Sequence, residues 1–86
     1  MKKYITNGGQ EIKVSTDRRI CRIVCKNLGI EPLYPGDKVT HPEKSDIGTV
    51  VGVAPAIQPL VIWVKFPFDS GIVYSYNNGT CNFKKV

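Results

Sequence analysis

No proline occurs in the first 31 residues, and all six lie beyond them, at Pro32, Pro35, Pro42, Pro55, Pro59 and Pro67. Proline has a fixed φ and no N–H to give, so it sits neither inside a helix nor inside a central strand. The back of the chain must therefore be assembled from short strands between these breaks. Asp37–Thr40, Gly48–Ala54, Leu60–Phe66, Gly71–Tyr76 and Cys81–Lys85 read as five such strands. Asp69-Ser70-Gly71 and Asn77-Asn78-Gly79-Thr80 supply turns between neighbours. Short strands at this spacing predict a small antiparallel barrel or sandwich.

The proline-free front has another pattern. Lys2–Val14 reads as a hairpin around Asn7-Gly8-Gly9, which provides the positive φ of a tight turn. Ser15 or Thr16 is then the expected helix cap, with Asp17 in the first turn and the helix running to about Asn27. Ile20, Ile23, Val24 and Leu28 recur at helical spacing and form an apolar stripe, widened by Cys21 and Cys25. Arg18, Arg19, Arg22 and Lys26 take the remaining surface, and Gly29 stands where a left-handed C-cap belongs. With 86 residues there is room for one domain, hairpin and helix over 1–30 and a small barrel over 33–86. The expected class is mainly β, of the α+β kind.

Alternation assigns faces within the back half. Leu60, Ile62, Val64 and Phe66 point one way and Val61, Trp63 and Lys65 the other. Because Lys65 seeks solvent, the first set is the expected barrel interior. Val61, Trp63 and Val73 then form an apolar patch outside, opposite Ile72, Tyr74 and Tyr76. Burying such side chains contributes roughly 1.5–3 kcal/mol each, so the helix or the hairpin is expected to cover them.

Leu33-Tyr34-Pro35-Gly36-Asp37-Lys38-Val39 followed by Gly48-Thr49-Val50-Val51-Gly52-Val53 resembles the first two strands of an SH3-like small barrel. Trp63-Val64-Lys65-Phe66 and Gly71-Ile72-Val73-Tyr74 resemble later strands of the same architecture. Tudor, PWWP, KOW, CAP-Gly and Mind-bomb-type modules share it. The resemblance implies a five-stranded antiparallel barrel and a binding rather than a catalytic role. It selects none of these families. Phe68-Asp69-Ser70-Gly71 replaces the CAP-Gly pocket motif, the Pro-Trp-Trp-Pro pattern is absent, and His41-Pro42-Glu43-Lys44-Ser45-Asp46 is mixed in charge where a KOW loop is basic.

Function classes are narrowed by what converges. The longest apolar run, Leu60–Val64, is far short of the about 20 residues of a membrane span. Met1–Asn7 has no signal-peptide core, and three cysteines is an odd set for a disulfide scaffold. A reduced, intracellular (cytoplasmic or nuclear) protein without a membrane partner is expected. Cys21, Cys25, His41 and Cys81 are the only arrangement resembling a zinc set, but their spacing matches no zinc signature, and buried apolar cysteines are the plainer reading. No nucleophile–base pair or phosphate loop is recognisable, so no enzyme activity, metal or cofactor is expected.

Six of the eight aromatic residues lie from Trp63 onward. Tyr34, Phe68, Tyr74 and Tyr76 are the candidates for an open groove that takes a peptide or protein partner. The alternative is nucleic acid, drawn by the net charge of +5 and by the cluster Arg18, Arg19, Arg22 and Lys26.

Overall fold

Asn7-Gly8-Gly9 turns the chain as expected, and strands β1 (Lys2–Ile5) and β2 (Glu11–Val14) pair antiparallel, Lys2 opposite Val14 and Ile5 opposite Glu11. The structure, a computed structural model, describes residues 1–74 and 82–86. Alternation buries Ile12 and Val14 and leaves Glu11 and Lys13 in solvent. Helix α1 (Arg18–Leu28) follows. Its cap is Asp17, not Ser15 or Thr16: Asp17 Oδ1 accepts the Arg19 N–H at 2.8 Å, while Ser15 Oγ accepts the N–H of Asp17 itself at 3.2 Å. A carboxylate reaches the free N–H groups of the first turn, and its charge suits the positive end of the helix. Gly29 closes α1 in the left-handed conformation, as its position predicts.

Strands β3 (Lys38–His41), β4 (Lys44–Val53), β5 (Ile62–Lys65) and β6 (Lys84–Lys85) form one antiparallel sheet in the order β5-β4-β3-β6. Strand β4 starts at Lys44 rather than Gly48, because Pro42 and Glu43 make a tight turn that places His41 opposite Lys44. His41 Nδ1 accepts the Glu43 N–H there at 3.1 Å. The segment expected as strand Gly71–Tyr76 is represented by isolated bridges, Ile72 to Thr6 and Val73 to Val64. Ser75, Tyr76, the turn over 77–80 and Cys81 lie outside the described residues, and the described part of the expected strand Cys81–Lys85 is strand only at Lys84–Lys85.

Among the described residues the expected five-stranded closed barrel is not found. They form six strands in two sheets, and no described pairing joins β5 to β6. The reason lies in what covers its faces. Ile62, Val64 and Phe66 do share a side, with Val39, Val50, Val53 and Phe83, but α1 lies on it through Cys21, Val24 and Cys25. Val61 and Trp63 take the other side with Val51 and Ala54, under Ile12 and Val14 of the hairpin. A sheet covered on both faces has no apolar surface left that curling would hide.

Smaller corrections follow from the same packing. Ile72, not Val73, joins Trp63, whereas Val73 packs beside Val64 on the helix side. Leu60 is exposed ahead of the strand instead of lining the core. Ile23 is 60% exposed although its spacing put it in the stripe. The helix is rolled toward its cysteines, where Cys25 Sγ accepts the buried N–H of Leu33 at 3.3 Å.

The hairpin meets the sheet through main chain. Ser15 and Val53 exchange N–H···O bonds of 2.7 and 3.1 Å. At the opposite end Ile72 N–H donates to Ile5 (2.9 Å) and its carbonyl accepts from Asn7 (3.0 Å). Both junctions need glycine. A Cβ on Gly52, whose φ is +138°, would lie 2.1 Å from the Ser15 carbonyl oxygen, and one on Gly71 would lie 2.4 Å from that of Ile5. No helix among the described residues is long and apolar enough to cross a membrane.

Candidate functional site

The turn after β5 is braced from three directions. Lys44 Nζ donates to both carboxylate oxygens of Asp69 at 3.0 Å, and the pair is largely shielded from solvent. Lys65 Nζ donates to the carbonyl of Phe66 at 2.8 Å and to that of Asp69. The Asp69 N–H closes the turn onto Phe66 O at 3.2 Å, and Ser70 Oγ donates to Asn7 Oδ1 at 2.8 Å. Lys65 thus serves the turn that follows it. Phe66 is buried beneath, 6.2 Å ring to ring from Phe83. Phe68, on top of this frame, is 85% exposed. Polar braces therefore hold fixed a backbone whose most apolar side chain stands in water.

The four aromatic candidates are not gathered into one groove by what is described. Tyr34 is half-buried against the helix-side core. Tyr74 meets Trp63 edge-on at 4.9 Å, on the hairpin side. The sheet separates them, because Trp63 and its neighbours on β5 face opposite ways. Phe68 stands alone at its turn, and Tyr76 is outside the described residues.

Instead, Tyr34 is joined to the basic candidates. The Arg18 guanidinium lies 3.9 Å from the centre of its ring, a cation–π stack. Arg18, Arg19, Arg22 and Lys26 are all exposed on α1. Arg19 is turned back to Asp17 at 3.4 Å. The loop carrying Tyr34 is fixed by Asp37, whose Oδ2 accepts the Tyr34 N–H at 2.9 Å and lies 3.7 Å from Lys85 Nζ. The sequence points Tyr34 and Arg18 to different ligands; their contact depends on how the helix docks. The bracing residues Lys44, Lys65 and Asp69 were missed, since a paired surface lysine carries no local signature.

Both described cysteines belong to the helix-side core. Cys21 and Cys25 are buried, and burial pushes the Cys21 thiol up to about 11, which keeps it protonated and weakly nucleophilic. The ring of His41 packs 5.6 Å from Phe83. Among the described residues no three His, Cys, Asp or Glu side chains stand together as metal ligands, and Cys81 is outside that set. Comparison of the chain with protein-family models, with curated proteins and with solved structures gives no match.

Proposed function

We propose that this protein is a non-catalytic binding module that presents Phe68 as the apolar anchor for a protein or peptide partner. The observation carrying this reading is an 85% exposed phenylalanine on a turn held by Lys44, Lys65 and Asp69. Leaving such a side chain in water forgoes roughly 1.5–3 kcal/mol of burial. Aromatic side chains recur as the dominant contacts of interfaces, where they fill a partner's pocket. A turn that is already ordered loses little backbone entropy when it docks, so more of the burial energy appears as affinity. Tyr74, 47% exposed, extends this role only as a second, separate contact.

The test begins with capture by the wild-type protein and by a Phe68→Ser variant, followed by calorimetry with the purified partner. The variant is expected to bind about 30-fold more weakly, as for loss of an interface anchor, with an unchanged melting temperature. Equal affinities in two equally stable proteins would refute the assignment.

A further inference from the structure

The Arg18–Tyr34 contact sets a stacked, cationic aromatic unit at one end of a row of charges. Arg18, Arg22 and Lys26 recur every fourth residue on α1, so successive cations stand about 6 Å apart along the axis. Neither Arg22 nor Lys26 makes an ion pair with a described residue, and both are exposed. Two acids near this row are engaged elsewhere. Asp17 caps the helix and meets Arg19, and Asp37 holds the Tyr34 N–H beside Lys85.

We propose that this ridge binds single-stranded nucleic acid, a function separate from the Phe68 contact. Phosphates fit the row by charge: flexible, unpaired cations at regular intervals track a polyanion without reading its sequence. The stacked unit distinguishes a nucleic acid from an acidic protein. Tyr34 lies against the Arg18 guanidinium, and an exposed guanidinium is a surface on which an unpaired base stacks. Bases inside a duplex present no such face. Arg22 and Lys26 then neutralise the phosphates of the neighbouring nucleotides.

Fluorescence anisotropy of the full chain tests this with a mixed-sequence single-stranded oligonucleotide, its duplex and polyglutamate. The single strand should bind best. With two phosphates neutralised, its affinity should fall about sevenfold between about 50 and 200 mM salt. Arg22→Glu with Lys26→Glu should weaken binding at least about tenfold, with the fold intact because both positions are in solvent. Arg18→Lys keeps the charge but not the flat stacking plane. It should therefore keep the salt dependence and lose the preference for single strand over duplex. The absence of binding at the lower salt, or indifference to the Glu variants, would overturn the proposal. So would polyglutamate binding as tightly as the oligonucleotide, which would make the ridge a contact for an acidic protein. A retained single-strand preference in Arg18→Lys would remove the stacking role.

Discussion

On one side of the central sheet α1 contributes Cys21, Val24 and Cys25 to a core completed by Leu33, Phe66 and Phe83, and among the described residues no main-chain hydrogen bond joins the helix to the sheet. On the other side the hairpin contributes Ile12 and Val14 and is tied at both ends by main-chain bonds to Val53 and Ile72. The helix is thus held by filled volume, which is non-directional and tolerates shape changes that keep the volume. The hairpin is held by direction and close approach, at Gly52 and Gly71. One cover should respond to the size of its side chains and the other to the presence of a single methyl group.

The largest expected effect is on the volume-held side. Phe66→Ala should cost about 3–5 kcal/mol, read as a lower urea midpoint. A whole domain is stable by only about 5–15 kcal/mol, so this variant approaches unfolding. A loss below about 1 kcal/mol would mean that the helix-side core does not carry the fold.

Gly52→Ala should come next, at about 2–4 kcal/mol, from a strained φ and the loss of the Ser15–Val53 exchange. Its signature should be local. Trp63, the one tryptophan, lies under the hairpin, so its emission should shift to the red while the helical circular dichroism persists. Loss of both signals together would show the two covers to be one cooperative unit.

The smallest effect belongs to the helix cap. Hydrogen bonds from the Arg19 backbone and side chain hold the Asp17 carboxyl below its ordinary value of 3.8. A carboxyl lowered by folding adds stability above its unfolded pKa and loses it as pH falls through the folded one. Asp17→Ala should therefore lower the melting temperature slightly at neutral pH, and the gap to wild type should close in acid. Asp17→Asn, which still caps, should keep most of that temperature and show no such pH dependence. A gap independent of pH would assign the effect to something other than the carboxylate.

Much of the local structure was legible. Asn7-Gly8-Gly9, Gly29 and the alternation through Ile62–Phe66 all act over a few residues, and each landed where its chemistry put it. The cap moved only from Ser15 or Thr16 to Asp17: Ser15 Oγ takes the N–H of Asp17, and the Asp17 carboxylate takes that of Arg19. The candidate site was less legible. Phe68 as an exposed loop aromatic could be named, but its turn is braced at Asp69 by Lys44, 25 positions from Asp69 in the chain. Tyr34 and Tyr74 lie on opposite sides of the sheet because they belong to segments outside the strands whose relative phase no periodicity records. Val73 and Ile72 exchanged sides for the same reason.

Sequence alone settled where the chain could extend, coil and turn, because proline, glycine and side-chain period restrict φ and ψ within a few residues. It also settled that the helix and the sheet each had apolar surface to hide. Which surface met which was settled in three dimensions, by volume and by close approach between distant segments. There the helix took the face that a barrel would have enclosed, the hairpin took the other, and Arg18 came to rest on Tyr34.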